Sequence, residues 1–198
     1  MSIKQDLELR LLNAAELQIA AKLLSTAMLD NPLHIKVFGR NKRQKHLYSF
    51  FNILLPLIYK RGFLYGYFDK ENLVAVFGAM QPSNCNLPLI SKLNLVVAIF
   101  KKFNFIISIK TCYWLFNWHL HDPKTPHWHL GPLAVAASHR QQGIANLLMK
   151  SVISMSEKAP LWLETDKQLN VDIYTKLGFV VVKKITILGD ENWLMVRE

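Results

Sequence analysis

The stretch "HLGPLAVAASHRQQGIANLLM", His129 to Met149, joins an apolar strand pattern to a polar turn with one glycine and then to an apolar helical run. In the helical run Ile144, Leu148 and Val152 share one face, which predicts packing against a sheet. The first N–H groups of a helix are unpaired and its dipole favours negative charge, so an anion can bind there. Gly143 would let the backbone approach such an anion closely. The stretch is therefore either an ordinary helix start or a site for a phosphorylated ligand.

Length and composition indicate one folded domain over residues 1–198. Apolar residues make up 51% of the chain and charged residues 19%, and there is no internal repeat or low-complexity tract. The formal net charge of +10 suggests an anionic partner: nucleic acid, a lipid surface or a polyphosphorylated small molecule. Solvated lysines without a specific role would explain the same charge.

The sequence indicates a cytoplasmic protein without a transmembrane span. Its first ten residues carry charges and lack the apolar region of a signal peptide. Cys85 and Cys112 have no metal-type spacing and are expected to be reduced thiols. Leu93 to Ile109 is the most hydrophobic region, but Lys101 and Lys102 interrupt it, and a spanning helix needs roughly 20 mainly apolar residues. A monomer or a homodimer is expected.

Hydrophobic periodicity predicts a mixture of helices and strands. Asn13 can cap the first helix with Glu16 in a capping box, and Pro32 is expected to end that helix. Pro56 is expected to kink or divide the next one, and residues 189–192 are expected to form a hairpin turn. Helices are expected at 13–31, 42–60 and 169–177, from residue 144, and as a pair between residues 88 and 120. Strands are expected at 7–12, 62–68, 72–80, 127–135, 160–165, 178–188 and 192–197. This order predicts an α/β (α+β) fold with a sheet of mixed strand direction.

Two common phosphate-binding loops are excluded by the residues around Gly143. No Lys-Ser or Lys-Thr pair follows the glycine, as a nucleoside-triphosphate loop requires. No G-x-G-x-x-G follows a predicted strand, so a dinucleotide-binding fold is not supported. An isolated R-x-x-G-x-A turn is a weak signal, and without further context the ordinary helix start would be favoured.

Two segments in order supply that context. In His129 to Met149 a strand ending in L-x-V leads into (R/Q)-x-x-G-x-(G/A) and a helix. In "LWLETDKQLNVDIYTKLGF", Leu161 to Phe179, a strand leads into an Asn-containing helix and then Y-x-K-L-G-F. These segments resemble the acetyl-CoA-binding segment and the second signature of the GNAT superfamily of N-acetyltransferases. The resemblance covers roughly residues 121–198. With "HDPKTPHWHLGPLAV", His121 to Val135, and W-x-M-x-R at Trp193 to Arg197, it narrows to the puromycin N-acetyltransferase-like branch.

The resemblance implies a mostly antiparallel central sheet flanked by helices and splayed between the two strands around the acetyl-CoA site, with a helical insertion at about 88–120. Acetyl-CoA is the implied co-substrate. The pantetheine arm would pair with the strand before the turn, and N–H groups of the turn would hold the pyrophosphate, with Arg140 adding charge. The implied cofactor-binding residues are Leu133, Ala134, Val135, Arg140, Gln141, Gln142, Gly143, Ile144, Ala145 and Asn170.

Acetyl transfer to an amine requires that the amine lose a proton and that the departing thiolate gain one or be stabilised. Tyr174, with an ordinary pKa of about 10, is protonated at neutral pH and, by the resemblance, is the expected proton donor to the sulfur. Asn170 and Tyr174 are i, i+4 neighbours, while Leu169, Ile173 and Leu177 are expected to form the core face of their helix. The alternative for Tyr174 is a core tyrosine with a hydrogen-bonded tip.

Glu164, at the end of "LWLET", is the candidate base, directly or through a water. The sheet splays near this point in the family, so a carboxylate there would face the thioester. The alternative is an exposed strand-end carboxylate that only attracts the cationic acceptor.

Four histidines, His119, His121, His127 and His129, raise the possibility of a metal site. The H-x-H pair of a strand puts both rings on one face, as in some zinc sites. No cysteine or carboxylate completes a set at familiar spacing, so no metal is expected. His127 or His129 lining the acceptor pocket, or plain packing, is favoured instead.

The sequence therefore predicts an acetyl-CoA-dependent N-acetyltransferase that moves an acetyl group to a primary amine of a small molecule by direct attack in a ternary complex. The acceptor stays open between an aminonucleoside antibiotic, a polyamine-like metabolite and a peptide N-terminus. The alternative is a catalytically inactive basic module that binds nucleic acid or an anionic membrane surface. No specific nucleic-acid partner is expected in the first case.

Overall fold

Seven strands form one sheet in the order β1-β2-β3-β4-β5-β7-β6 in the computed structural model, which describes residues 7–85, 87–156 and 159–198. Every neighbouring pair is antiparallel except β4 and β5, which are parallel. The predicted mixed, mostly antiparallel sheet flanked by helices is confirmed. The strands are β1 (Leu7–Leu11), β2 (Gly62–Asp69), β3 (Asn72–Met80), β4 (Trp128–Val135), β5 (Leu161–Thr165), β6 (Val180–Ile187) and β7 (Asp190–Arg197).

Helices cover both faces of the sheet, and each face has its own apolar core. On one face the core joins the first five helices to the sheet. On the other face the last two helices pack against β3, β4, β5 and β7. The helix between β4 and β5 is the crossover that a parallel pair requires. The helices are α1 (Leu17–Ala27), α2 (Pro32–Phe38), α3 (Arg43–Arg61), α4 (Leu89–Lys102), α5 (Phe105–His121), α6 (Ile144–Met155) and α7 (Gln168–Lys176).

The first helical region begins as expected but is divided into two helices. Asn13 and Glu16 form the predicted capping box around a short 3-10 turn that leads into α1. The expectation that Pro32 ends this helix is wrong, because α1 stops at Ala27 and Pro32 is the first residue of α2. Proline suits that position since the first N–H of a helix has no partner within it.

Pro56 does not divide α3, which runs as one helix from Arg43 to Arg61. Proline removes one backbone hydrogen bond, but the helix is held on both sides of it by buried side chains. Leu47 and Phe51 before the proline and Ile58 after it are almost completely buried. Packing of this face outweighs the missing bond.

The hairpin between β6 and β7 turns two residues earlier than expected. Leu188 (φ 52°) and Gly189 (φ 88°) form the loop, and Asp190 already belongs to β7. Two positive φ values define the two-residue turn that matches the twist of paired strands. Asn192, expected in the turn, is instead a buried strand residue whose Oδ1 accepts from Trp118 Nε1 at 3.4 Å.

The two helices predicted between residues 88 and 120 are α4 and α5. Phe103 and Asn104 separate them, and the Asn104 side chain caps α5 by accepting from the Ile107 N–H at 2.9 Å. Within the described ranges, none of the helices combines the length and hydropathy needed to cross a bilayer.

Candidate active site

The sheet opens between β4 and β5. The two strands pair only at Trp128–Leu161 and His129–Trp162, although β4 continues to Val135 and β5 to Thr165. The splayed sheet expected around the donor site is therefore present. Beyond Trp162, backbone groups on the inner edges of both strands have no neighbouring strand to pair with.

A bulge in β4 lies at this opening. Phe77 pairs with Leu133 and Ala79 with Leu130, so Gly131 and Pro132 together face the single residue Gly78. Gly78 tolerates no side chain, because a Cβ there would lie 2.5 Å from the Gly131 carbonyl oxygen. A bulge bends its strand, and this one falls where β4 turns away from β5.

The pairing of β3 and β4 shows which backbone groups face the opening. The Ala136 N–H donates to the Val74 oxygen at 2.8 Å, and the same register makes Ala134 and Val76 a hydrogen-bonded pair. Because bonding direction alternates along a strand, Leu133 and Val135 point their N–H and C=O groups away from β3, towards the opening. Of the three strand residues predicted to bind the pantetheine arm, Leu133 has an N–H and a C=O without a partner among the described residues. Val135 points the same way, but its C=O accepts from Arg140 Nε, and Ala134 uses its groups within the sheet.

The turn before α6 has the backbone of an anion-binding loop. Gln141 (φ 61°) and Gly143 (φ 79°) both have left-handed backbone, and α6 begins at Ile144. Among the described residues, no acceptor bonds to the N–H groups from Gln141 to Ala145. A Cβ on Gly143 would meet nothing within 4 Å. The open space beside these donors fits the predicted phosphate site, while the buried Ile144 side chain anchors the helix.

Arg140 is engaged within the protein. Its guanidinium donates to the Val135 oxygen at 3.3 Å and to the Ala27 oxygen, at the end of α1, at 3.1 Å. These bonds fasten the turn to β4 and to α1. Arg140 therefore positions the turn, and its charge lies beside the proposed phosphate site as part of that arrangement.

Asn170 and Tyr174 of α7 lie against the end of β5. The Asn170 amide donates to Thr165 Oγ1 at 3.0 Å, and the Tyr174 ring contacts Phe179 with ring centres 5.9 Å apart. Burial raises the pKa of Tyr174 to about 12, so its hydroxyl is protonated at neutral pH. No other described residue bonds to that hydroxyl, which leaves it available to a ligand.

The predicted core face of α7 is wrong for Leu169 and Ile173, whereas Leu177 packs against the core as expected. Leu169 and Ile173 are 67% and 39% exposed, whereas Val171 is buried and Tyr174 half-buried. The helix has only nine residues, and the face that carries Asn170 and Tyr174 is turned towards the sheet and the opening. On so short a helix, two apolar residues such as Leu169 and Ile173 do not determine which side of the helix is buried.

Glu164 is almost completely buried and ion-paired, not an exposed strand-end carboxylate. Its side chain is 2% exposed, one oxygen accepts from Trp162 Nε1 at 2.7 Å, and the other lies 3.1 Å from His129 Nε2. The second ring nitrogen of His129 lies 3.5 Å from an Asp122 carboxylate oxygen. Asp122, His129 and Glu164 thus form one buried network beside the opening.

The network holds one positive charge between two negative ones. Burial disfavours the charged imidazole, but Glu164 and Asp122 outweigh it and hold the pKa of His129 well above 6.5. Burial alone would raise the pKa of Asp122, yet contacts with His129 and His119 hold it below its usual 3.8. The ionised network carries a net negative charge, which suits a cationic amine.

The four histidines have different surroundings. His129 belongs to the network, and His119 contacts Asp122 at 3.3 Å and Lys92 at 2.8 Å. His121 Nδ1 bonds the Asn117 carbonyl, and His127 Nδ1 bonds the Thr125 carbonyl, both at 2.8 Å.

A carboxylate does join the histidines, contrary to the expectation from sequence spacing. Ligand atoms of Asp122, His127 and His129 lie within 4.8 Å of one another. Both ring nitrogens of His129, however, already face carboxylates, an arrangement that favours two protons on the ring. A metal would have to displace one of them. The absence of a metal stays a prediction.

A cavity of about 370 Å³ continues from the opening into the helical layer. Near β4 and β5 its walls are polar and include Asp122, His129, Glu164 and Tyr174. Its other walls come from α3, α4 and α5 and are mostly apolar, although Lys92 and His119 also line them. The apolar residues include Phe51, Leu54, Leu95, Ile99, Trp114 and Leu115. A pocket with few polar groups at one end and apolar walls elsewhere suits an amphiphilic small molecule.

Asp122, Trp162 and Cys85 were not predicted as site residues. Asp122 lies in the loop "HDPKTP", for which no site role was predicted, but it is the first carboxylate after Glu71, and that isolation is a usable signal. Cys85 lines the cavity, donates to the His127 oxygen at 2.9 Å, and has its pKa raised by burial. It is therefore a packed thiol and not a thiolate nucleophile.

Comparison with known proteins agrees with this geometry. Residues 102–179 match the model of the acetyltransferase (GNAT) family. A solved Corynebacterium glutamicum protein described as histone acetyltransferase HPA2 and related acetyltransferase shares the fold with a TM-score of 0.71 at 18% identity, over 96% of this chain and 95% of that chain.

Two further solved structures share the fold with a TM-score of 0.64 each. They are arylalkylamine N-acetyltransferase 2 from Aedes aegypti, at 12% identity over 97% of this chain and 98% of that chain, and a variant agmatine N-acetyltransferase, at 11% identity over 96% and 98%. The family model thus matches part of this chain, and the three solved structures share its fold.

Proposed function

We propose that this protein is an acetyl-CoA-dependent N-acetyltransferase that acetylates a primary amine of a small molecule by direct attack in a ternary complex. The observation that carries the proposal is the opening between β4 and β5. It is flanked by the free N–H groups before α6 and by Tyr174, and it leads into the apolar cavity. One channel thus joins a site for a phosphorylated donor to a pocket for an acceptor.

The donor would lie along the free edge of β4. Backbone groups of Leu133 and Val135 would pair with the amide groups of the pantetheine arm, and the N–H groups from Gln141 to Ala145 would hold the pyrophosphate. Asn170, fixed by Thr165, lies beside the same path. Acetyl-CoA supplies the activated acetyl group, and these contacts orient its thioester towards the cavity.

Tyr174 would act on the leaving sulfur. As the new nitrogen–carbon bond forms, the carbon–sulfur bond breaks and negative charge develops on sulfur. The pKa of Tyr174, about 12, exceeds that of a thiol, about 8.5 for cysteine, so full proton transfer to a free thiolate is uphill. A hydrogen bond from the hydroxyl would stabilise this charge. The tyrosine proton would move to sulfur only as the proton released by the attacking nitrogen replaces it on the phenolate oxygen, so that Tyr174 ends the step protonated.

The buried network would receive the amine. A primary ammonium is attracted by the excess negative charge of Asp122 and Glu164 around His129. It must lose a proton before it attacks, and the carboxylates are the available acceptors, directly or through a water. Both Glu164 oxygens already have partners, but a carboxylate oxygen has a second lone pair, so the base role stays open to Glu164.

The walls of the cavity favour an apolar or aromatic amine. Of the acceptors named for the two N-acetyltransferases of similar fold, an arylalkylamine suits these walls better than agmatine, which is charged at both ends. An acceptor of the kind taken by the puromycin N-acetyltransferase-like branch would also meet apolar walls. We therefore expect arylalkylamines to be acetylated with lower KM than polyamines.

Calorimetry with coenzyme A and a thiol-release assay with a panel of primary amines test the proposal. We expect coenzyme A to bind, arylalkylamines to accelerate thiol release, and a chelator to leave the rate unchanged. A protein that does not bind coenzyme A would refute the assignment as a whole. If coenzyme A binds but no amine accelerates thiol release, the proposed transfer to an amine is refuted. If a chelator abolishes turnover, the prediction that no metal is needed is refuted.

A further inference from the structure

The outer sides of α4 and α5 expose apolar side chains. On α4, Leu93, Val97 and Phe100 follow the i, i+4, i+7 spacing of one helix face. On α5, Phe105, Ile109 and Phe116 share one face at the spacing i, i+4, i+11. Phe105 is 71% exposed, and all six are at least 40% exposed. We call these six residues the α4–α5 apolar face. The inner sides of the same helices line the cavity, and of the six residues only Phe116 also borders it, so most of this face lies outside the cavity wall.

The two stripes form one surface. The rings of Phe100 and Phe105 lie 6.1 Å apart across the turn that joins the helices, so the face is continuous past that turn. Large contiguous apolar surfaces are uncommon on soluble monomers and mark sites that bind a partner.

Positive charge surrounds the end of this surface. Lys101 and Lys102 end α4, and Phe103 beside them packs against Phe38 and His46 with ring centres 5.7 and 6.0 Å apart. That packing brings the basic start of α3 next to the turn. The exposed cations gathered there are Arg40, Lys42, Lys45, Lys101 and Lys102.

None of these five cations forms a salt bridge with another described residue. The sequence also has no Asp or Glu between Glu71 and Asp122. The α4–α5 apolar face and its surroundings thus combine apolar side chains with unneutralised positive charge and lack carboxylates of their own.

This combination selects the partner. A second copy of the chain would bring the same lysines together without opposing carboxylates, which disfavours self-association. Nucleic acid would match the positive charge, but it would offer the aliphatic side chains Leu93, Val97 and Ile109 no apolar surface to contact. An anionic bilayer meets both needs, because apolar side chains enter the headgroup boundary while lysine and arginine bind anionic headgroups. We propose that the α4–α5 apolar face and the five cations dock this protein on the surface of an anionic membrane.

Flotation with vesicles tests this docking. We expect the protein to float with vesicles of phosphatidylcholine and phosphatidylglycerol in equal parts, to bind phosphatidylcholine vesicles far less, and to be released as NaCl rises from about 0.1 to about 0.5 M. The variant F105S/I109S should weaken vesicle binding at least about tenfold. The variant K101Q/K102Q should weaken it about 30-fold, because each lysine contributes about fivefold to the affinity for an anionic surface.

Two matched variants control for loss of apolar area and of charge elsewhere. V180S/V182S removes exposed apolar side chains from β6, and K22Q/K150Q removes two exposed lysines from α1 and α6; both should bind like the unaltered protein. Absence of flotation with anionic vesicles overturns the proposal, as does an equal loss in the control variants. A self-association that F105S/I109S abolishes, without vesicle binding, would assign the face to a second copy.

Discussion

Tyr174 and Glu164 line the same cavity, but their surroundings fit them for different tasks. Burial keeps the Tyr174 hydroxyl protonated and without a protein partner, so it has a proton to offer. The Glu164 side chain is almost completely buried and is paired with His129 and Trp162, so it holds negative charge in place. In the proposed reaction Tyr174 would donate a proton and Glu164 would attract one.

Tyr174→Phe should lower kcat by about 100-fold, a typical contribution of one proton donor. The apolar ring remains, so the affinity for acetyl-CoA in calorimetry should stay within about twofold of the original. Tyr59→Phe, on α3, removes the hydroxyl of a residue that is 40% exposed and serves as the control with unchanged kcat. Equal turnover in all three proteins would remove Tyr174 from the reaction.

At the scale of elements, the turn between β4 and α6 could be predicted because its information is local. A strand, a glycine with room for an anion and an amphipathic helix lie within about 25 residues of sequence, and the structure gives each its expected form. The buried network could not be predicted in this way. Asp122 ends α5, His129 belongs to β4 and Glu164 to β5, so only the tertiary fold brings them together.

Local signals also failed where packing decided the outcome. Pro56 was expected to kink or divide α3, and the helix is not divided because buried side chains on both sides hold it. Leu169 and Ile173 were expected to face the core, but the short helix α7 turns Val171 and Tyr174 inwards instead. Propensity and periodicity are overruled when a larger buried surface is at stake.

Gly143→Ala tests the turn. The positive φ at this position costs a side-chain residue about 1 kcal/mol, and the new methyl group would project into the space proposed for the pyrophosphate. We expect the Kd for coenzyme A to rise about tenfold in calorimetry. Gly189→Ala is the matched control, because Gly189 has the same left-handed backbone and the same open surroundings in the β6–β7 turn.

Both variants should lose similar stability, and only Gly143→Ala should lose affinity. If Gly189→Ala weakens coenzyme A binding equally, the effect belongs to general destabilisation and the turn is not the phosphate site.

At the scale of the whole molecule, the Asp122–His129–Glu164 network links folding to pH. The pKa of His129 is raised above 6.5, so its stabilising contribution is complete below about pH 6.5 and is lost as pH rises through the higher folded value. The pKa of Asp122 is lowered below 3.8, so its contribution is present above about pH 3.8 and is lost as pH falls through the lower folded value. The network therefore stabilises the fold most between these limits.

His129→Gln should remove this dependence. The unaltered protein should lose several degrees of Tm between about pH 6 and about pH 9, while His129→Gln starts lower and changes little over that range. His121→Gln, which removes a histidine bonded only to a backbone carbonyl among the described residues, should keep the original slope. Parallel Tm curves for all three proteins would contradict a charged His129.

The order of strands in the sheet has a consequence for biosynthesis. β5 lies between β4 and β7, and β7 is the last strand along the chain. A ribosome releases the N-terminal part first, so β5 and its Glu164 lack one neighbour until Asp190–Arg197 has emerged. The opening and the network that borders it are completed together with the final strand. The proposed coenzyme A site is therefore complete only after Asp190–Arg197 has emerged.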